Sequence, residues 1–328
     1  MIEAIVFLFL WVLALFGGYK FVHFNIKHVE KNGDRYFKKY VMKGTKAVNP
    51  SNTGIFDNGI SCVREDDVNI WFYTKLGNTI AFDSGHRDFK NVNFEFEKIK
   101  AKDYKEIEKK YLTSYKEGKE KGFTPVFLVL DDVLLEKFEI DMEDEDTDNI
   151  MDIVKSNLEK YKDINAVEFL KKFQEENTED VKENIDDYFT EKNYKFDNRE
   201  KYNLELSTLF DFDRNFKDNV ILVKVPTKNP YEVLGYFGMG GYNDCPLPAE
   251  QVAVAKYWYE KYGAVPAVIT YDEIEFYVEK PVQTLEEAKK LAVEQYAFCY
   301  DIVDQCCGTF EKLVDGLYKN IQWYFWWD

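Results

Sequence analysis

The pattern of apolar and polar positions is clearest in the last third of the chain. Two β-rich runs, "NVILVKVP" and "YEVLGYFG", predict strands on either side of a turn that contains Pro and Asn. The segment "LPAEQVAVAKYWYEKYG" predicts a helix, with Pro248 near its start and Gly263 at its end. The runs "AVPAVITY" and "EIEFYVEKP" predict two further strands, and "TLEEAKKLAVEQYAF" predicts a helix that begins with the capping box Thr284–Glu287. Because strands and helices mix without strict alternation, this part is predicted to be an α+β domain spanning residues 217–328.

The last run of this domain is unusually aromatic. After a third helix, "FEKLVDGLYKN", the chain reads "IQWYFWW", and three of its six tryptophans lie at positions 323, 326 and 327. Large aromatic residues in a terminal segment indicate that the segment is packed against the rest of the protein, since unpacked chain ends are poorly ordered. We expect a closing strand whose aromatic side chains fill the core, with Trp326 and Trp327 on opposite faces.

Upstream, the chain divides into two regions of different character. Residues 56–130 read as mixed α/β: the runs Val68–Thr74 and Thr79–Phe82 flank a Gly77-Asn78 hairpin turn. A helix that closes at Gly122 then precedes a buried strand, "TPVFLVL". Residues 131–216 are expected to form an acidic helical segment, in which "NIMDIVKSNLEKY" and "NAVEFLKKF" have helical apolar spacing.

The acidic segment accounts for most of the net charge of -17, since residues 131–191 hold 22 Asp and Glu against 7 Lys. Its densest stretch, "DMEDEDTDN", lacks the Gly and the final Glu of a calcium-binding EF-hand loop, so we expect a solvated loop and no metal. The acidic balance excludes nucleic acid as the expected partner and favours a basic protein. No motif predicts a cofactor.

The start of the chain, "MIEAIVFLFLWVLALFGGYKFVHF", is apolar over about 20 residues, the thickness of a bilayer core. We predict a single transmembrane anchor in residues 1–24, with residues 4–24 in the membrane; a cleaved signal peptide and a buried helix are the alternatives. The region 25–55 that follows is basic, whereas the residues before the apolar run contain no Lys or Arg. The positive-inside rule therefore predicts that the bulk of the chain faces the cytoplasm. Five cysteines without regular spacing, reduced rather than paired, agree with that compartment.

Several separated blocks of the C-terminal part together resemble an uncharacterised bacterial family, domain of unknown function 4253. They are "PYEVLGYFGMGGYNDCPLPAEQVAVAKYWYEKYGAVPAVITYDEIEF", "EEAKKLAVEQYAFCYDIVDQ" and "WYFWWD". The resemblance covers about residues 217–328 and implies no activity. More weakly, residues 68–86 resemble the opening strands of the metallo-β-lactamase fold. The His-x-His-x-Asp-His motif of those metal hydrolases is absent, so the run is either a coincidental hairpin or a degenerate remnant.

Two segments carry candidate chemistry. "GMGGYNDCP", residues 238–246, is either a glycine turn that approaches an anion or a turn closed by its own side chains. With the final strand it supplies the candidate ligand-binding residues Tyr242, Asn243, Asp244, Cys245, Trp326 and Trp327.

The second segment is "EQYAFCYDIVDQ". If its helix continued to Gln305, then Glu294, Asp301, Asp304 and Gln305 would share a face. Carboxylates grouped in this way serve as an acid–base or metal site, or else they stay solvated or cap the helix. These four are the candidate catalytic residues.

Two functions are developed from the sequence, and a structural scaffold role stays open beside them. The first is a membrane-tethered cytoplasmic interaction module, regulatory or protective against a basic toxin, whose acidic surface binds its partner. The second is an enzyme or small-ligand-binding domain with a pocket in the C-terminal domain. No complete catalytic signature is present, which favours the first.

Overall fold

The computed structural model describes residues 72–73, 79–82, 92–130, 133–134, 137, 141, 150–178, 181–197, 202–237 and 239–328. The predicted membrane anchor and basic linker, residues 1–55, lie outside these ranges, as does most of the acidic loop, residues 142–149. None of the helices in the described ranges combines the length and apolar character needed to cross a bilayer.

Within the described residues the strands form one sheet of eight, in the order β1-β2-β3-β5-β4-β6-β7-β8. The strands are β1 (Phe72–Tyr73), β2 (Thr79–Phe82), β3 (Val92–Lys98), β4 (Thr124–Val129), β5 (Val220–Val225), β6 (Ala264–Ile269), β7 (Glu273–Val278) and β8 (Gln322–Trp326). Neighbours pair antiparallel except β4 and β6, which run parallel. The predicted antiparallel pairing of the two runs is confirmed, since Phe72 pairs with Ala81 and Tyr73 with Ile80, whereas the predicted turn at Gly77-Asn78 lies outside the described residues.

The helices pack mostly on one face of the sheet. They are α1 (Tyr104–Lys121), α2 (Ile150–Lys160), α3 (Ala166–Asn177), α4 (Val233–Tyr236), α5 (Pro248–Tyr262), α6 (Leu285–Phe298) and α7 (Phe310–Leu317), with a π-helix at Ile302–Cys307. The larger core lies on the face packed by α2 to α7, and the smaller core lies under α1. The predicted mixture of α and β structure is confirmed.

The helix ends form as the sequence predicts. Gly122 and Gly263 close α1 and α5 in the left-handed conformation, with φ of 86° and 63°. Glycine adopts this conformation without the steric penalty that a Cβ atom would bring. At the start of α6, the Thr284 hydroxyl accepts from the Glu287 main-chain N–H at 3.2 Å and donates to its carboxylate at 3.0 Å. Both halves of this contact fix where the helix begins.

One predicted strand is wrong. The run "YEVLGYFG" forms a 3₁₀ turn, Pro230–Glu232, followed by the short helix α4. Pro230 occupies the first helical position, where its fixed φ and missing N–H are tolerated, and Asn229 donates to the Glu232 carboxylate at 3.0 Å. All four residues of α4 are buried, and a short, wholly buried run has no periodicity that distinguishes a helix from a strand.

The aromatic closing strand is confirmed. β8 lies at one end of the sheet and pairs with β7, with Phe276 opposite Trp323 and Glu275 opposite Tyr324. Side chains alternate across it: Trp323, Phe325 and Trp327 enter the larger core, whereas Tyr324 and Trp326 are half-buried on the other face. The predicted separation of Trp326 from Trp327 follows from this alternation.

The sheet runs across the boundary that the sequence places at residue 217. β4, from the upstream region, lies between β5 and β6, and β3 covers the other side of β5. The centre of the sheet is therefore built from both parts of the chain.

Candidate functional site

Helix α6 does not reach the candidate carboxylates that follow it. It ends at Phe298, and Cys299 adopts extended backbone with φ of -152°. There the Cys299 thiol donates to the Trp326 main-chain oxygen at 3.0 Å, and burial raises the pKa of that thiol. The chain therefore leaves helical geometry at Cys299, where it contacts the final strand. The prediction that one helix face carries Glu294, Asp301, Asp304 and Gln305 is wrong.

Glu294 belongs to a separate cluster between α6 and α5. Its carboxylate accepts from the Tyr257 hydroxyl at 2.9 Å, the Trp258 indole at 3.4 Å and the Lys261 ammonium at 3.0 Å. These contacts join two helices and satisfy the carboxylate, which is a structural arrangement.

The other three candidates lie on or beside the π-helix. Asp301 is buried, and its carboxylate accepts from the Gln305 amide at 2.7 Å and from the Asp328 main-chain N–H at 3.3 Å. Asp304 is exposed and accepts from the Tyr296 hydroxyl at 3.3 Å. Single π-turns are frequent at functional sites, because they change which side chains share a face.

The glycine segment is a turn closed on itself. Gly240, Gly241, Asn243 and Asp244 all have positive φ. The buried Gln251 amide donates to the main-chain oxygens of Met239 at 3.0 Å and Pro246 at 2.7 Å. The turn therefore presents Asn243 and Asp244 on its exposed rim.

The rim of this turn meets the π-helix and the final residues. The Tyr300 hydroxyl donates to the Asp244 carboxylate at 2.6 Å, which raises the pKa of Tyr300. The Asn243 amide donates to the Asp328 main-chain oxygen. We call this meeting point the C-terminal junction: Asn243, Asp244, Tyr300, Asp301 and Asp328.

The remaining candidates divide between the junction and the core. Trp326 lies next to the junction, and its indole donates to the Asp272 carboxylate at 3.1 Å. Tyr242 is half-buried in the turn. Cys245 and Trp327 are only 4% and 2% exposed, and both pack within the larger hydrophobic core.

Sequence reasoning missed a pair of carboxyl groups on the sheet face opposite the larger core. Glu275 on β7 is completely buried, and its Oε1 accepts from the Ser207 hydroxyl at 2.9 Å, the Thr208 N–H at 3.0 Å and the Thr208 hydroxyl at 3.1 Å. Its Oε2 has no hydrogen-bond partner. Burial raises the pKa of Glu275 to about 7. The signal was present in "EIEFYV", where Glu273 and Glu275, two positions apart, must share one face of a strand.

Glu273 connects this pair to the surface. It accepts from the Tyr324 hydroxyl at 2.7 Å and from Thr208 at 3.3 Å, so one threonine hydroxyl contacts both carboxyls. Burial raises the pKa of both Glu273 and Tyr324. Unlike Glu275, Glu273 is half-exposed.

The carboxylates at and beside the junction accept hydrogen bonds from neutral donors. Among the described residues, no lysine or arginine forms an ion pair with Asp244, Asp272, Asp301 or Asp328. In the same part of the chain, no group of three or more His, Cys, Asp or Glu is placed to hold a metal ion. The arrangement can accept hydrogen bonds and attract a cation.

With this geometry established, comparison with known families is informative. The model of one family, DUF4253, described as a domain of unknown function, matches residues 221–328. The resemblance inferred from the separated blocks is thereby confirmed. No curated protein and no solved structure matches the chain. The DUF4253 match begins within β5 and includes the glycine turn, the π-helix and β8, so the whole junction lies inside it.

Proposed function

We propose that this protein is an interaction module that binds a basic protein partner through the C-terminal junction. The observation that carries the proposal is the set of carboxylates at and beside the junction that are ordered by neutral donors and have no cationic partner among the described residues. Their negative charge is positioned but not compensated. A lysine or arginine from a partner would supply charge-assisted hydrogen bonds at this surface.

The described part of the acidic segment supports the junction as the binding surface by contrast. On α3, Lys171 lies 3.9 Å from Glu175 and Lys172 lies 3.5 Å from Glu176, so acidic side chains there have cationic neighbours one helical turn away. The same arrangement joins Lys256 to Glu260 on α5, at 2.7 Å. Negative charge on these helices is partly balanced within the chain, which makes them weaker attractors for a basic partner.

The test is capture of a stoichiometric partner from native membranes by the full chain, with identification by mass spectrometry. The double variant Asp244→Asn, Asp272→Asn removes one charge at the junction and one beside it, and keeps oxygen acceptors for Tyr300 and Trp326. Glu175→Gln, Glu176→Gln is the matched control, since it removes two charges from an exposed helix. We expect the junction variant to lower partner recovery about ten-fold or more, and the control to leave it unchanged. Equal recovery with both variants, or repeated captures without a stoichiometric partner, would refute the proposal.

The proposal includes a membrane tether formed by residues 4–24, with the module in the cytoplasm. It is supported by the apolar run and by the basic residues that follow it. We expect the full chain to stay with the membrane during alkaline extraction. Protease that is given access to the cytoplasmic face of the membrane should cleave off the large C-terminal part. Release by alkali alone would exclude an integral anchor.

A second candidate is an enzyme or a small-ligand-binding domain. Asp301 favours it, because a carboxylate that is 2% exposed and lacks a cationic partner lies directly beneath the exposed Gln305. A small amine or guanidine would be the matching chemistry. Such compounds should raise the Tm of the wild-type chain and leave that of Asp301→Asn unchanged; a panel that shifts neither would exclude this candidate.

A further inference from the structure

A short segment crosses the smaller core without belonging to the sheet. We call residues 204–209 the strap. Leu204, Leu206 and Leu209 are fully buried beneath it, in the same core as the inner side of α1. The strap precedes β5 and lies over the faces of β7 and β8 that carry Glu275 and Tyr324.

Side-chain oxygens hold the strap by its main-chain N–H groups. Glu108 accepts from Leu204 at 3.4 Å, and Gln322 accepts from Glu205 at 2.8 Å and from Leu206 at 3.2 Å. Glu275 accepts from the Thr208 N–H and from the hydroxyls of Ser207 and Thr208. The Thr208 hydroxyl also contacts Glu273, so three of the strap's seven hydrogen bonds to side-chain oxygens end on Glu275.

The strap also contains strained backbone. Leu206 has φ of 38°, in the left-handed region that an ordinary side chain rarely occupies. A leucine in this conformation is held there by its surroundings and favours release when they weaken. The hydrogen bonds to Gln322 and Glu275 flank Leu206 on both sides.

Glu275 has the surroundings of a carboxyl group that holds a proton. It is completely buried, its Oε2 has no hydrogen-bond partner, and no lysine or arginine in the described ranges forms an ion pair with it. An ionised carboxylate in such a place loses its hydration without a compensating charge, whereas a neutral carboxyl keeps Oε1 as an acceptor and carries the proton on Oε2. The titratable groups around it are Glu273 on β7, Tyr324 on β8, Glu108 on α1, Lys217 beyond the strap and Cys306 on the π-helix. Lys217 is the one cation among these groups, and its charge acts to lower the pKa of Glu273.

We propose that Glu275 is a proton-dependent latch that keeps the strap closed over the smaller core and lets it open when the carboxyl ionises. The direction follows from linkage. The pKa of Glu275 is raised from 4.5 to about 7 in the closed structure, so the closed strap binds the proton more tightly than an opened, hydrated one. Closure is therefore favoured at low pH and weakens as the pH rises toward about 7.

The experiment follows hydrogen exchange at the main-chain amides of residues 204–208 in the full chain, from about pH 5.5 to about pH 8.5, corrected for intrinsic exchange rates. In the wild type, we expect the opening equilibrium to rise by up to about ten-fold per pH unit and to level off above about pH 7. Glu275→Gln keeps an oxygen acceptor without an ionisable group, so its profile should be flat. Glu273→Gln, the matched control on the same strand, should retain the wild-type slope. A flat wild-type profile, or an unchanged slope in Glu275→Gln, would overturn the proposal.

A second measurement does not depend on the folding of a variant. Infrared difference spectroscopy of the wild-type chain with isotope-labelled glutamate should show a protonated carboxyl band that disappears between about pH 6 and about pH 8, the range in which the rise of the opening equilibrium levels off. If no glutamate carboxyl titrates in that range, Glu275 is not the latch.

Discussion

The glycine turn shows how single residues determine the shape of the junction. Four residues between 240 and 244 have positive φ, including Asn243 at 43° and Asp244 at 55°. Asparagine and aspartate tolerate this conformation better than other side chains, and here it aims both of them at the junction. The residues that carry the candidate chemistry are thus also the residues that permit the turn.

Gly240 is the most constrained position of this turn. Its φ is 111°, and a Cβ there would collide with the Pro246 main-chain oxygen and the Gln251 amide. We expect Gly240→Ala to lower the free energy of unfolding by about 2 kcal/mol or more, measured by urea denaturation. Gly316→Ala is the control: nothing lies within 4 Å of its Cβ position, so the same change should be neutral or stabilise α7 by up to about 1 kcal/mol. Equal effects at the two positions would contradict this account of the turn.

At the scale of elements, β8 contributes more than its five residues indicate. The rings of Trp258 and Phe325 stack with centroids 5.5 Å apart, and Trp327 packs edge-on against Phe298 at 5.5 Å. Trp323 contacts Trp258 at 5.6 Å. Side chains from β8 therefore fill the space between the sheet and helices α5 and α6.

Removal of residues 323–328 should abolish the cooperative unfolding of the chain. Truncating one buried aromatic side chain costs about 3–5 kcal/mol, so losing three costs about 9–15 kcal/mol, which is comparable to the total stability of a typical domain, about 5–15 kcal/mol. Thermal melting followed by near-ultraviolet circular dichroism measures the result. A truncated chain that melts at an unchanged Tm would show that these rings do not support the core.

Elements with a clear local signal could be predicted from the sequence. Helices with marked caps, such as α1 with Gly122 and α6 with Thr284, and the alternating strand β8 follow from the residues they contain. Residues 233–236 could not be assigned because every position is buried. The end of α6 at Phe298 depends on contacts with residues far along the chain, Trp326 among them, which no local pattern records.

The candidate site shows the same division. Asn243, Asp244, Asp301 and Gln305 could be selected from local patterns, but their meeting with Tyr300 and Asp328 depends on the fold. The burial of Glu275 depends on the strap, which lies more than sixty positions earlier in the chain. Sequence reasoning therefore finds polar groups more readily than it finds which of them lose contact with water.

At the scale of the whole molecule, the sheet joins parts of the chain that are distant in sequence. β5 pairs with β3 on one side and β4 on the other, and β4 also pairs with β6. An excised C-terminal part would leave both edges of β5 without neighbours and one edge of β6 exposed. Unpaired central strands lose their main-chain hydrogen bonds and expose apolar faces.

We therefore expect a fragment of residues 217–328 to lack cooperative folding, although the DUF4253 match falls entirely within it. A fragment of residues 92–328 retains β3 and β4 and should melt as one unit. Circular dichroism melts and the dispersion of amide resonances compare the two. A shorter fragment with a sharp melt and dispersed resonances would show that the C-terminal part is an independent domain.

The interleaved strands also affect how the protein is made. Synthesis of β4 is complete when Val129 has been added, but the first strand that pairs with it begins at Val220, and the second ends at Ile269. Every residue of β4 is buried in the folded protein. At about 5–20 residues per second, about 5–20 seconds pass before synthesis of the first pairing strand begins. Nascent chains of intermediate length thus carry an exposed apolar strand, and chaperone binding during translation should be strongest before residue 220 emerges.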